Sequence, residues 1–156
     1  IGAELADGST INVPFPAYVG DEGYLEAFHR ILLPLARSFK PELILLSAGF
    51  DAHWLDPLAS MRLTIPGYAA LVKVLLELAD ELCRGRIVGV LEGGYNLDVL
   101  AHAILTTLRT FVDINAAPSD PFGAPRSGAE RDVTALIERL KNLHNISSPP
   151  FHSLPG

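Results

Sequence analysis

The sequence predicts an α/β fold, a parallel β-sheet flanked by helices, on three observations. Two short apolar runs, Leu43–Leu46 and Ile87–Leu91, are each followed by a loop and then by an amphipathic stretch. The segment between them carries apolar residues at helical spacing, so the runs read as parallel strands joined by a crossover helix. Each run also ends in a polar loop containing glycine, Ser47-Ala-Gly-Phe-Asp-Ala-His-Trp-Leu-Asp-Pro57 and Leu91-Glu-Gly-Gly-Tyr-Asn96. Open α/β sheets place their ligands at such strand ends.

Taken in order, Ser9–Val13 is β-branched and apolar enough for a short strand, ended by Pro14 and Pro16, which donate no ladder hydrogen bond. From Asp21, placed to cap, the residues Tyr24, Leu25, Phe28, Ile31, Leu32, Leu35 and Phe39 follow one helical face. Pro34 is expected to kink or divide that helix. Leu43–Leu46 fits a strand buried on both faces. The loop Gly49–Ile65 is long for a compact domain, and such loops are commonly functional. Thr64 caps the next helix, whose face is Tyr68, Leu71, Val72, Leu75, Leu78 and Leu82, and Gly85 closes it. Ile87–Leu91 is a second buried strand, and Asn96 caps a helix with Leu100, Ile104, Leu105, Leu108 and Phe111 on one face. Asn115–Gly128, rich in Pro, Ala, Ser and Gly, reads as a linker or surface loop. Glu130–Leu143 is a last amphipathic helix through Val133, Leu136, Ile137, Leu140 and Leu143. Residues 1–146 form the domain, with 147–156 a Pro-rich, disordered tail.

Bulk properties narrow the function. The chain has 156 residues, one domain's worth, and its 49% hydrophobic content beside 19% charged residues points to surface that needs covering. A net charge of −6 with no Lys/Arg cluster argues against direct nucleic-acid binding. No apolar run approaches the roughly 18–20 residues of a membrane span, so no membrane partner is expected. The single Cys83 makes no internal disulfide, and a cytoplasmic location is the default.

Two clusters could carry chemistry. Asp51, His53 and Asp56 lie just past the first strand, where carboxylates and an imidazole could turn inward onto a metal such as zinc. The alternative is that Asp51 caps a turn, His53 is a surface histidine and Asp56 precedes Pro57 in a tight turn. Gly93 and Gly94 could admit a phosphate to a helix N-terminus, although the spacing matches neither a Rossmann motif nor a P-loop. With that mismatch against phosphate, the other reading is that they let the backbone bend and bring Tyr95 to a pocket mouth, its phenol donating to a developing oxyanion.

The text Asn12-Val-Pro14, Gly20-Asp21, Tyr24, Pro41-Glu42-Leu43, Ser47 to His53, Asp56-Pro-Leu58, Leu63-Thr64, Gly67-Tyr68 and Leu91 to Asn96 resembles the zinc-dependent histone deacetylase family. The Leu-Glu-Gly-Gly-Tyr form looks like the class II and bacterial branch, which sits beside acetylpolyamine amidohydrolases and acetoin-utilisation proteins. The resemblance covers roughly residues 9 to 112, a combination far more specific than any one motif. It implies an arginase/deacetylase-like fold and hydrolysis of an acetyl amide on an acetylated lysine or polyamine-like substrate. It further implies that Asp56 ligates zinc, that Tyr95 polarises the substrate carbonyl, that Leu63 lines the acyl-lysine channel, and that Gly93 and Gly94 lie beside its floor. His53 is not made a ligand by the resemblance.

One departure matters. The family's other two zinc ligands, from an Asp-x-His motif, and its adjacent histidine pair precede the Asn-Val-Pro segment and have no counterpart here. The chain therefore reads as the C-terminal half of a deacetylase domain, inactive without the missing N-terminal half as its partner, and prone to aggregate through a raw sheet edge. A reading of a different class is a non-catalytic module that keeps the fold and binds acetylated ligands or protein partners.

Overall fold

A computed structural model describes residues 10–125 and 128–146. In chain order the elements are α1 (Asp21–Ala27), a π-helical segment (Phe28–Leu32), α2 (Leu33–Phe39), β1 (Ile44–Ala48), α3 (Ile65–Cys83), β2 (Ile87–Leu91), α4 (Leu97–Val112) and α5 (Thr134–Leu143). β1 and β2 pair in parallel, Ile44 against Ile87 through Ala48 against Leu91. The α/β arrangement expected from the two apolar runs is therefore present, with α3 as the crossover.

Local chemistry sets most boundaries. The Thr64 hydroxyl accepts from Gly67 N–H, and the Asn96 side chain accepts from Val99 N–H, so both expected N-caps are made. The π segment lies immediately before Pro34, with Leu33 N–H bonding back to the Phe28 carbonyl. Proline cannot donate at position 34, and its ring would strike the carbonyl four residues earlier, so the chain absorbs it by widening the preceding turn. The helix is divided, as expected, without a break.

Other expectations need correction. Thr10–Val13 forms no strand; Ile11 and Val13 instead pack against a cluster of Val19, Ala27, Ile31, Val133, Ile137 and Leu140. Gly20, not Asp21, occupies the N-cap of α1 and offers no side chain. The capping is done from afar, since the Glu130 carboxylate accepts from Gly23 N–H at 2.6 Å and from Glu22 N–H at 3.2 Å. A carboxylate at a helix N-terminus also meets the positive end of its dipole. With Glu130 so occupied, α5 begins only at Thr134, whose N–H and hydroxyl both donate to Asp132. Arg84 rather than Gly85 is the left-handed cap of α3, and Gly85, also at positive φ, donates to the Ala79 carbonyl. The expected tail, 147–156, lies outside the described residues.

The strands are not buried on both faces. Leu46 and Ala48 lie against α3 and α4, whereas Leu45 is 71% exposed and its register neighbour Val88 is 49% exposed. The face bearing Leu46 and Ala48 is thus packed along β1, whereas Leu91, Ala48's register neighbour on β2, is 54% exposed and the opposite face is bare and apolar. α4 is also turned from its expected orientation. Val99, Ala103, Thr106 and Thr110 are buried, and Leu105 and Leu108 are exposed. The smaller side chains allow close approach at the packed face; of the expected face, Leu100 and Ile104 do pack against the core, while Leu105 and Leu108 lie outside it.

Asp21 links the two halves of this framework. Its carboxylate accepts from Thr64 N–H at 2.9 Å and from the Thr64 hydroxyl at 2.6 Å, joining the start of α1 to the start of α3. A Cβ at Gly67 would collide with the same carboxylate. Gly67→Ala is therefore expected to cost about 1–3 kcal/mol of stability by forcing that latch apart. Urea unfolding of the complete domain measures it, and an unchanged midpoint would contradict the role given to Gly67.

Candidate active site

The two strand-end loops are zipped together by backbone hydrogen bonds, Glu92 N–H to the Ala48 carbonyl at 3.0 Å and Phe50 N–H to the Gly93 carbonyl at 2.9 Å. The first loop then turns sharply and runs back along itself. Trp54 N–H donates to the Leu63 carbonyl and Leu63 N–H to the Ala52 carbonyl, both at 3.0 Å, while Asp56 N–H donates to the His53 carbonyl at 2.9 Å. The Asn96 amide secures the tip by donating to the Leu55 carbonyl at 3.1 Å.

Asp56 is the focus of this arrangement. Its Oδ1 accepts from Leu58 N–H at 2.9 Å and Ala59 N–H at 3.4 Å, and its Oδ2 accepts from Tyr95 N–H at 2.8 Å. The side chain is buried. Burial opposes ionisation, but the N–H groups of Tyr95, Leu58, Ala59 and Asn96 outweigh it and hold the carboxyl below the usual aspartate range. A carboxylate offers about four lone-pair sites, and the hydrogen bonds from Leu58, Ala59 and Tyr95 take three of them.

Of the residues singled out from the sequence, Asp56, Gly93, Gly94 and Tyr95 come together at the strand ends. Gly94 has φ +135°, and a Cβ there would lie 2.8 Å from Leu100 Cδ1, so both backbone and space require glycine. Tyr95 is 55% exposed. Leu63 belongs to the same loop but is buried, packed with Phe50, Ile65, Tyr68 and Leu71. It also lines a cavity of about 280 Å³ that Asp51 and Tyr68 share.

His53 is not a surface histidine. It is fully buried, its Nδ1 accepts from Leu55 N–H at 3.2 Å, and its Nε2 has no partner among the described residues. Burial depresses its basicity against the opposing pull of Asp120, Asp21 and Asp56, so the ring is neutral with its proton on Nε2. The sequence reading also missed Asp51 as a steric element, since its carboxylate oxygens lie 3.0 Å from where a Cβ would stand at either Gly49 or Gly93. The Asp120-Pro-Phe-Gly123 turn went unremarked as well, although Asp-Pro-x-Gly is a turn signature.

Asp56 fits one place in a zinc site. It is an ionised carboxylate fixed by backbone N–H groups. Among the described residues no group of three or more His, Cys, Asp or Glu side chains is placed to hold a metal ion, so the remainder of a three-ligand set is not among them. No helix of the described residues is long and apolar enough to cross a membrane.

Comparisons with known proteins show the family and the fold. The chain is 40% identical over 147 residues to histone deacetylase 14, chloroplastic, of Arabidopsis thaliana, covering 92% of this chain and 34% of that protein. It is 42% identical over 148 residues to a probable deacetylase of Archaeoglobus fulgidus, covering 93% of this chain and 41% of the relative. Human polyamine deacetylase HDAC10 is 36% identical over 155 residues, with 99% and 22% covered. The chain thus spans well under half the length of these relatives. Among solved structures, the HDA15 HD domain superposes with a TM-score of 0.73 at 28% identity, covering 92% of this chain and 36% of that one. The profile described as "Histone deacetylase domain" matches residues 1–111, and the chain belongs to the histone deacetylase domain family.

Proposed function

We propose that this chain is the C-terminal part of a zinc-dependent deacetylase domain, in which Asp56 is one metal ligand and the Tyr95 phenol donates to the substrate carbonyl. The observation that carries the reading is the 2.8 Å hydrogen bond from Tyr95 N–H to Asp56 Oδ2, which ties the proposed ligand to the residue bearing the proposed donor. Bound zinc would polarise the carbonyl and acidify the attacking water. This chain's own residues do the rest of the positioning. Gly93 and Gly94 bend the second loop so that Tyr95 lies at its exposed tip, and the Asp56 carboxylate fixes the backbone from which the phenol extends. A phenol so placed can stabilise the tetrahedral oxyanion by hydrogen bonding.

The other ligands and the general base would come from residues outside these 156. Two features support such a completion. The face bearing Leu45, Val88 and Val90 is apolar and uncovered, and the hydroxyls of Tyr68 and Thr107, which line the 280 Å³ cavity, have no hydrogen-bond partner among the described residues. Buried polar groups are normally paired. The substrate class is an acetylated amine, lysine-like or polyamine-like, in keeping with the names of the relatives.

Metal removal tests the reading. Treating the complete domain with a chelator is expected to abolish release of acetate from an acetyl-lysine peptide, or from an N-acetylated polyamine, and stoichiometric zinc is expected to restore it. Hydrolysis that survives chelation with no bound metal would overturn zinc dependence. A non-catalytic module would bind acetylated ligands and release no acetate under either condition.

A further inference from the structure

Beyond residue 111, where the family profile ends, the chain crosses back to the loop that carries Asp56. Asp120 Oδ1 accepts from Phe122 N–H at 2.8 Å and Gly123 N–H at 3.1 Å, closing a tight turn in which Gly123 has φ +68°. That turn makes two contacts with the Asp56 loop. The Trp54 indole N–H donates to the Gly123 carbonyl at 3.0 Å, and the Phe122 ring stands edge-on to His53, centroids 5.7 Å apart. Phe122 also stands edge-on to His102 of α4, centroids 5.3 Å apart, so it is wedged between α4 and the loop.

We propose that the Asp120–Gly123 turn is a positioning brace for the Asp56 loop, acting through Trp54 and His53 and touching neither metal nor substrate. The connection to Asp56 is short. His53 presents its carbonyl to Asp56 N–H and its Nδ1 to Leu55 N–H, so the orientation of the His53 ring and backbone sets where the carboxylate stands. Among the described residues His53 Nε2 has no hydrogen-bond partner, so the imidazole is held by Leu55 N–H at Nδ1 and by ring packing from Trp54 and Phe122. Removing Phe122 frees that ring, and removing the Trp54 N–H frees the other contact. Groups that orient metal ligands typically change metal affinity by about 10–100-fold when lost.

The inference rests on Asp56 being a ligand, and the test separates the two. In the complete domain, Phe122→Ala is expected to lower zinc affinity about 10–100-fold, with kcat falling at zinc saturation by less than the affinity does. Phe122→Tyr, which keeps the ring, is expected to restore affinity. Ile137→Ala serves as the control, lowering stability from the distant α5 cluster while leaving zinc affinity unchanged. Should Phe122→Ala fail to fold, Trp54→Phe removes the Gly123 hydrogen bond while keeping an aromatic ring beside His53, and is expected to weaken zinc binding in the same direction. Zinc affinity within twofold of wild type in whichever variant folds, with Asp56→Ala losing zinc, overturns the brace alone. If Asp56→Ala keeps zinc at wild-type affinity, the ligand assignment falls and the brace falls with it.

Discussion

Asp56→Asn in the complete domain is expected to lower zinc affinity by at least about 100-fold, beyond the range usual for groups that only orient ligands. The substitution is nearly isosteric, so the loss reports on charge and donor chemistry, not on volume. Asp56 carries its negative charge in a buried site because backbone N–H groups converge on it. An asparagine there must present its amide NH₂ on one side. If it faces Tyr95 N–H, two donors meet across the 2.8 Å contact; if it faces Leu58 and Ala59, the same happens across those bonds. Either arrangement costs about 1–3 kcal/mol. The apo domain is therefore expected to be destabilised as well. Calorimetric zinc titration beside urea unfolding separates the two effects, because the stability loss appears without metal.

Tyr95→Phe is expected to leave zinc content and stability unchanged and to lower kcat by about 10²–10³-fold, the usual effect of deleting one oxyanion donor. Structure explains the selectivity. The Tyr95 backbone N–H, not its phenol, bonds Asp56, so phenylalanine preserves the ligand's environment. The side chain is exposed, so losing the hydroxyl disturbs no packed core. Unchanged kcat at saturating zinc would show that the phenol has no role in turnover. Loss of zinc would instead mean that Tyr95 supports the metal site directly.

What could be read from the sequence was what is decided locally. Thr64 and Asn96 act within a single turn, and both strands show as continuous apolar runs, so each was visible without tertiary knowledge. That the two loops lie together was visible because both follow parallel strands, whereas the pairing of Asp56 with Tyr95 rested on the family resemblance alone. Longer-range relations left no local signal. Glu130 caps α1 across 107 residues, and Asp21 serves α3 across 43, so both were read as belonging to their own helices. An apolar run likewise cannot say whether both faces of its strand are covered, and Leu45 and Val88 are bare. On α4 the expected face is half right: Leu100 and Ile104 pack against the core, but close approach buries Ala103 and Thr106 and leaves Leu105 and Leu108 exposed. Burial of His53 could not be read from its loop, because Phe122 covers it from about seventy residues further on.

Zinc-edge anomalous diffraction from crystals of the complete domain tests the central assignment most directly. A single strong peak is expected about 2.0–2.2 Å from an Asp56 carboxylate oxygen, with Tyr95 N–H still bonded to that carboxylate. Zinc bound at full occupancy away from Asp56 would contradict the assignment of this loop as part of the metal centre.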